Sequence, residues 1–247
     1  MNPSQTYDII EFTAQPGQYY GDSIKMSKLV LQSGNYVKAS AKNIPLGHSR
    51  YGGPVADLPP GVAYPPELRL AAQLDLAVFA PHDKTGLLPK TGQLLFFAHP
   101  RDDRGQVLYA DVPNDELVRV VRDHEDNFYS GVLIDQVFAA TETLASRYRA
   151  PEDEEEAEWA KEAGSLNADG LLWDDFAGSK QSKIFGIYTH CQLGEEEIID
   201  ILNSSKVLLL QVGENGFNDE GVFSVLIEEA DLAACDFTRC EFAWGQS

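Results

Sequence analysis

A pattern of turns and strands that occurs twice is the feature of this sequence that most constrains its fold. Each copy contains a turn with Ser, a basic residue and Gly, then an apolar strand with one Gln near its end, and then an apolar strand that follows a Gly. The first copy lies at residues 49–53, 70–74 and 92–97, and the second at residues 182–186, 208–212 and 221–226. The repetition predicts one domain over residues 1–247, built from pseudo-repeat halves at about residues 46–110 and 180–247.

The remaining hydrophobic pattern predicts more strands than helices. Short apolar or alternating runs predict strands at residues 7–12, 68–79, 93–98, 129–140, 207–212 and 222–227, and a last strand within residues 236–247. Helices are expected after Asn114 as an N-cap, in the acidic run from residue 151, and at residues 194–204. Strands joined mostly by hairpins, with a few peripheral helices, indicate an α+β fold with a largely antiparallel sheet.

Two glutamines and two basic residues occupy equivalent positions in the two copies. Gln73 and Gln211 lie near predicted core strands, where a buried amide must find hydrogen-bond partners. The favoured interpretation is that each side chain clamps a neighbouring loop. The alternative is that both line a ligand-binding groove between the halves, together with Arg50, Tyr51 and Lys183.

The charge of the chain is strongly negative. Its 19 basic and 39 acidic residues give a formal net charge of −20 at pH 7. Such a field repels nucleic acid and anionic membranes, and it attracts basic partners. The charge therefore predicts no nucleic-acid or membrane partner and is compatible with a basic protein partner, although solubility alone also explains it. Six acids within residues 151–158 leave the same two interpretations open, a solvated helix or a functional segment.

Common catalytic and metal-binding motifs are missing from the sequence. The three cysteines are odd in number and irregular in spacing, which excludes a disulfide framework and favours a reducing cytoplasm. We expect no signal peptide and no membrane-spanning segment. The five histidines lack metal-ligand spacing, and no phosphate-binding glycine loop or nucleophile elbow occurs. The sequence therefore predicts no metal, no cofactor and no assigned catalytic residue, and leaves open whether the protein is an enzyme.

Several segments together resemble the YwqG-like proteins, a bacterial domain of unknown function. They are residues 49–54, 70–76, 88–97, 183–192 and 208–212, and the resemblance covers roughly residues 46–247. Three positions depart from the family pattern. Tyr64-Pro65 replaces a Trp-Pro pair, residues 185–190 lack a proline, and residues 218–221 read Asn-Asp-Glu-Gly where the family has Gly-Asp-x-Gly. The resemblance implies an α+β fold, a cytoplasmic location and no known cofactor, and it carries no established activity.

Two functional hypotheses follow for what is expected to be a soluble bacterial protein. The first is a non-enzymatic protein-binding module, of the immunity or regulatory type, that acts on a basic partner. The alternative is a small-ligand binder or an enzyme, with a cleft between the halves lined by Arg50, Tyr51, Gln73, Lys183 and Gln211. A purely structural accessory protein and any oligomeric state are equally compatible with the sequence.

Overall fold

Two antiparallel sheets form most of the structure, a computed structural model that describes residues 5–13, 19–20, 29–30, 44–122, 131–213 and 221–246. One sheet has six strands, and its central strands belong to the C-terminal part of the chain. In spatial order these strands are β11 (Gln136–Thr143), β1 (Thr6–Thr13), β14 (Lys183–Ile184), β15 (Lys206–Val212), β16 (Gly221–Glu228) and β17 (Glu241–Gln246).

The second sheet has seven strands, and its centre belongs to the N-terminal half. In spatial order they are β3 (Leu29–Val30), β2 (Tyr19–Tyr20), β10 (Val132–Leu133), β4 (Arg50–Tyr51), β6 (Arg69–Asp75), β7 (Gln93–Ala98) and β8 (Gly105–Ala110). Two small ladders pair β5 (Val55–Leu58) with β9 (Val118–Val121), and β12 (Tyr148–Arg149) with β13 (Leu172–Trp173). The predicted α+β fold with mostly antiparallel sheet is confirmed.

Four short helices accompany the sheets in the described residues. They are α1 (Leu76–Phe79), α2 (Glu154–Ala163), α3 (Glu195–Leu202) and α4 (Glu229–Ala233). The Asp153 side chain caps α2 by accepting a hydrogen bond from the backbone N–H of Glu156, and Gly164 ends the helix in the left-handed conformation. The acidic run and residues 194–204 are thus helical, as predicted.

One hydrophobic cluster takes buried side chains from both large sheets. Phe12 and Leu210 reach it from the six-stranded sheet, and Tyr51 and Phe96 from the seven-stranded sheet. The rings of Phe12 and Tyr51 lie 6.3 Å apart between their centroids, so the two sheets touch directly. Alternating strand residues point to one face, which explains how apolar runs of each sheet fill a common interior.

Three predicted elements differ from the structure. Residues 114–116 form one 3₁₀ turn, and Val118–Val121 is a strand instead of a helix, because β-branched residues favour extended backbone and β5 supplies a partner strand. The strand predicted to residue 79 ends at Asp75, whose carboxylate caps α1. The run at 129–140 divides into β10 and β11, which belong to different sheets, while residues 129 and 130 lie outside the described part.

Gly213 allows the end of β15 to pack against the backbone of a neighbouring loop. A Cβ atom at this position would lie 2.6 Å from the carbonyl carbon of Lys180 and 2.7 Å from the backbone nitrogen of Gln181. We expect Gly213→Ala to lower the free energy of unfolding by about 2 kcal/mol, because backbone atoms cannot move aside as side chains can. Urea denaturation measures the loss. The control Gly194→Ala adds a Cβ with no contact closer than 3.9 Å and should cost about 0.5 kcal/mol; equal losses would contradict the packing argument.

Candidate functional site

A buried ion pair joins three strands of the first half. Arg50 on β4 is fully buried, and its Nη2 donates to Asp57 Oδ2 at 2.5 Å and to Gln73 Oε1 at 2.9 Å. The antiparallel register places Arg50 directly opposite Gln73, while Asp57 arrives on β5. The pairing of β4 with β6 therefore delivers Gln73 to the guanidinium, and Asp57 lies only seven residues from Arg50 along the chain.

The Asp57 carboxylate is shared by two arginines and a backbone amide. Arg119 donates from Nε to Oδ1 at 2.7 Å and from Nη2 to Oδ2 at 2.8 Å, and the Gly47 N–H donates to Oδ2 at 2.9 Å. Burial alone raises the pKa of Asp57, but the hydrogen bond from Arg119 and the charge of Arg50 outweigh it and hold that pKa below its ordinary value. Asp57 is therefore ionised in the folded protein.

A second buried cluster, in which one carboxylate again contacts two basic side chains, lies in the other sheet. Lys183 Nζ on β14 donates to both carboxylate oxygens of Glu142, at 2.6 and 2.8 Å, and to the carbonyl oxygen of Ile187 at 2.8 Å. Arg147 donates to Glu142 Oε2 at 3.2 Å. Burial lowers the pKa of Lys183 to about 8, although the Glu142 charge acts in the opposite direction.

The two glutamines hold neighbouring backbone, as the favoured interpretation predicted. Gln73 Oε1 accepts from the Asp57 N–H at 2.9 Å, and its Nε2 donates to the Asp57 carbonyl at 3.2 Å. Gln211 Nε2 donates to the carbonyl oxygens of Gly178 and Gln181, at 3.0 and 2.8 Å. The clamp function is thus confirmed for both side chains.

The serine that precedes each basic residue makes an equivalent contact in the two sheets. Ser49 Oγ accepts from the Asp75 N–H at 2.9 Å, and Ser182 Oγ accepts from the Gly213 N–H at 3.1 Å. Each bond fixes the end of the long strand beside the basic residue. The twofold sequence pattern therefore corresponds to a shared set of backbone contacts.

The turn that follows each basic strand has the same unusual backbone. Gly52 and Gly53 have φ angles of +68° and +75°, and Phe185 and Gly186 have +65° and +80°. Two successive left-handed residues suit glycine, and Phe185 is a rare exception for a bulky side chain. The turns therefore agree in conformation although their sequences differ.

The five residues predicted to bind a ligand fall into two groups, one in each large sheet. Arg50, Tyr51 and Gln73 belong to the seven-stranded sheet, and Lys183 and Gln211 face each other in the six-stranded sheet. Each is at most 2% exposed. A ligand would have to displace the internal partners of these side chains to reach them, and their ligand-binding role stays a prediction.

An accessible cavity of about 380 Å³ lies where the two sheets meet. The turn between β7 and β8 forms one wall, and β16 and β17 form the other. Its lining consists of His99, Pro100, Arg101, Asp102, Asp103, Phe223, Phe242, Ala243 and Trp244. The cavity therefore combines a charged turn from one half with an aromatic surface from the other.

The four ionisable residues that line the cavity differ in how their charges are engaged. Asp102 accepts from the backbone N–H of Arg104 at 3.1 Å and from its Nε at 3.0 Å, and lies 3.1 Å from Nδ1 of His99. Within the part of the chain that the structure describes, no hydrogen bond or ion pair engages the Asp103 carboxylate or the Arg101 guanidinium. One negative and one positive group are thus left available at the cavity.

The aromatic wall of the cavity consists of rings that contact one another and of one ring that packs on a glycine. The ring centroid of Phe223 lies 6.3 Å from that of Phe242 and 6.1 Å from that of Trp244. A Cβ at Gly105 would lie 2.3 Å from the Phe242 ring, so the absence of a side chain there allows the ring to rest on β8. Gly105 therefore allows the close packing of Phe242 that positions this ring in the cavity wall.

His190 lies beside β17, near this wall. Burial lowers the pKa of His190, while the negative charge of Asp103 raises it in partial compensation. A Cβ at Gly245 would lie 3.2 Å from the His190 Cα, so glycine is what lets this segment approach β17. Sequence reasoning did not find this cavity, although a charged turn after a strand and a Phe-x-Trp tail were available signals.

Two further classes of site are not seen in the described residues. No group of three or more His, Cys, Asp and Glu side chains is arranged to hold a metal ion in residues 44–122, 131–213, 221–246 or the short described segments before them. In the same residues, no helix combines the length and apolar character required to cross a bilayer.

The chain belongs to a family defined by a domain of unknown function, DUF1963, whose model matches residues 49–245. The match begins at Ser49 and ends at Gly245, so it includes both charge clusters and the cavity. The YwqG-like resemblance is compatible with this family. No curated protein matches the chain.

Substitution of Asp57 tests the first charge cluster. Asp57→Asn removes the buried carboxylate charge that Arg50 and Arg119 both contact, so we expect the free energy of unfolding to fall by about 3 kcal/mol. Urea denaturation is the measurement. The matched change Asp8→Asn breaks a solvent-exposed pair with Lys84, whose atoms lie 2.9 Å apart, and should cost less than about 1 kcal/mol. Similar costs at both positions would contradict the central role of the buried cluster.

Acid titration gives a second measure of Asp57. Since its pKa is lower in the folded than in the unfolded state, Asp57 contributes stability that is complete above about pH 4 and lost as the pH falls through the folded-state pKa. We expect the unfolding free energy of the wild type to decrease below about pH 4. Asp57→Asn should show a smaller decrease, and parallel curves for the two proteins would refute this assignment.

Proposed function

We propose that this chain is a non-enzymatic protein-binding module, of the immunity or regulatory type, that binds a basic partner protein. The observation that carries the proposal is the formal net charge of −20. A field of this size raises the rate of association with a basic protein and opposes association with acidic ones. The internal carboxylates Asp57 and Glu142 are already matched by buried cations, so the excess charge acts at the surface.

The strongest candidate for the contact surface is the outer side of α2. We define this acidic α2 surface by Glu154, Glu155, Glu158 and Trp159, all of which are exposed, Trp159 by 62%. An exposed indole among carboxylates suits an Arg or Lys side chain, since the ring face attracts the cation that the carboxylates also attract. Solubility explains the acids alone but gives no reason for the tryptophan.

A salt bridge fixes this surface to the rest of the fold. Arg149 donates to the two carboxylate oxygens of Glu156 at 2.7 and 2.9 Å, and the Glu152 N–H donates to the same carboxylate at 2.6 Å. Arg149 lies on β12, which pairs with β13. The helix is therefore presented on a fixed base, which reduces the entropy lost when a partner binds.

We also propose a cytoplasmic location. The three cysteines Cys191, Cys235 and Cys240 are all free thiols. Secreted proteins tend to use cysteines in disulfides, whereas a reducing compartment keeps the thiols reduced.

We infer that the chain is a single domain that arose by internal duplication. Support comes from the matching serine contacts, the paired left-handed turns, and a ladder irregularity at the same place in each long strand. These irregularities fall between Leu70 and Ala72 in β6 and between Leu208 and Leu210 in β15. In both strands the clamping glutamine follows immediately, so the bulge and the glutamine form one structural unit.

A small-ligand binder with a cleft between the halves is the second candidate function. One observation favours it, namely the cavity of about 380 Å³ between the two sheets. Its volume lies in the range of small-molecule sites, and its mixture of aromatic walls with a few polar groups is typical of them.

Neutralisation of the acidic α2 surface tests the proposed protein binding. The triple variant Glu154→Gln, Glu155→Gln, Glu158→Gln removes three negative charges while keeping the side-chain lengths. We expect it to capture the basic partner from host lysate at least about tenfold less than wild type in about 0.05 M salt, where charges act over a longer distance. Quantitative mass spectrometry of the captured proteins, followed by calorimetry with the purified partner, measures the effect.

The control removes the same number of charges elsewhere. The control triple variant carries Asp115→Asn, Glu116→Gln and Glu196→Gln. These three side chains are exposed and lie outside α2, so the control variant should still capture the partner. Trp159→Ala should weaken capture at about 0.5 M salt as well, because the ring contact is less screened than the charges. Failure to recover a basic partner at either salt concentration, or equal losses in the two triple variants, would count against the proposal.

A further inference from the structure

We propose that the cavity between the β7–β8 turn and β17 binds a small aromatic zwitterion, a molecule with one ammonium group, one carboxylate and a planar apolar body. A free aromatic α-amino acid has this chemistry. The inference rests on the second candidate function, because it requires that the cavity takes a small ligand at all. It is independent of the basic protein partner.

The charges at the cavity are the first argument. Asp102 is engaged by Arg104 and lies against His99, whereas Arg101 and Asp103 carry no ion pair or hydrogen bond to their charged groups in the described part of the chain. The available groups are thus one cation and one anion, two residues apart on the same turn. Together they can bind a carboxylate and an ammonium of one small molecule.

The opposite wall supplies the apolar contact. Trp244 is partly exposed and lies beside Phe242 and Phe223, which are almost fully buried. A planar ring can pack against this surface in an offset or edge-to-face arrangement. The volume of about 380 Å³ accommodates one ring with a short polar chain.

The net charge of the molecule and the charges at the cavity together disfavour ligands with a single charge. An anion that reaches Arg101 must approach a protein with a net charge of −20. A cation that reaches Asp103 is attracted by this field but meets the Arg101 guanidinium at the same wall. A zwitterion has no net charge and satisfies both groups, which is why we infer this class.

Three phenyl compounds distinguish zwitterionic, cationic and anionic ligands. L-Phenylalanine carries both charged groups, phenethylamine carries only the ammonium, and 3-phenylpropionate carries only the carboxylate. We expect L-phenylalanine to bind at least about tenfold more tightly than either analogue, since each analogue leaves one charged group unmatched. Isothermal titration calorimetry with the full chain measures the three affinities.

Substitutions at the cavity assign each contact. Asp103→Asn should weaken the binding of L-phenylalanine and phenethylamine by about tenfold and leave the binding of 3-phenylpropionate unchanged. Arg101→Gln should weaken the binding of L-phenylalanine and 3-phenylpropionate and leave that of phenethylamine unchanged. The control substitutions Asp200→Asn and Lys161→Gln change the charge equally at exposed positions away from the cavity and should leave all affinities unchanged. Trp244→Ala should weaken all three probes, with circular dichroism and urea denaturation to establish that it folds.

The outcomes distinguish the inference from the function on which it rests. If phenethylamine binds as tightly as L-phenylalanine and only Asp103→Asn weakens it, the cavity binds ligands, but the zwitterion inference is wrong. The zwitterion inference is likewise wrong if 3-phenylpropionate binds as tightly as L-phenylalanine and only Arg101→Gln weakens its binding. If none of the three probes binds the wild type at millimolar concentration, both the inference and the small-ligand function are rejected.

Discussion

The contact between Arg50 and Asp57 is the interaction on which the first half of the structure depends. Both side chains are fully removed from water, which costs far more free energy than an exposed pair would cost. Further hydrogen bonds offset part of this cost, because Gln73 accepts from Arg50 while Arg119 and the Gly47 amide donate to Asp57. Four separate segments must therefore arrive together, and any alternative register of β4 would leave a buried charge unmatched.

The second half solves the same constraint with different side chains. Lys183 is a compact point charge and reaches one carboxylate, that of Glu142, together with a backbone carbonyl. It makes no use of Gln211, whereas Arg50 is held by Gln73. Gln211 is thereby released to bind the loop at residues 178–181. Where Arg50 is replaced by Lys183, the equivalent glutamine therefore binds loop backbone and does not bind the cation.

Local pattern was sufficient to predict most of the long strands and the clamps, but it did not reveal the partners of the buried cations. Gln73 and Gln211 were recognisable because an amide in an apolar strand must be satisfied nearby. The ion pairs of Lys183 with Glu142 and of Arg119 with Asp57 were not, because their members lie 41 and 62 residues apart along the chain. The helix expected after Asn114 was wrong because tertiary pairing of β9 with β5 decided between two structures that its valines permit. The cavity was missed for a related reason, since its two walls come from different halves.

The distribution of charge explains why the charged groups of the candidate surfaces lie outside the repeated pattern. The cations that the repeat places on β4 and β14 are used up inside the molecule, where they bind Asp57 and Glu142. They can therefore balance no surface carboxylate, and the acids of α2 and the Asp103 side chain face water without them. A frame that neutralises its own interior leaves its surfaces free to differ between the proposed halves. Recognition should accordingly be sought at α2 and at the junction of the sheets, where the two halves present different residues, and not in the residues that they share.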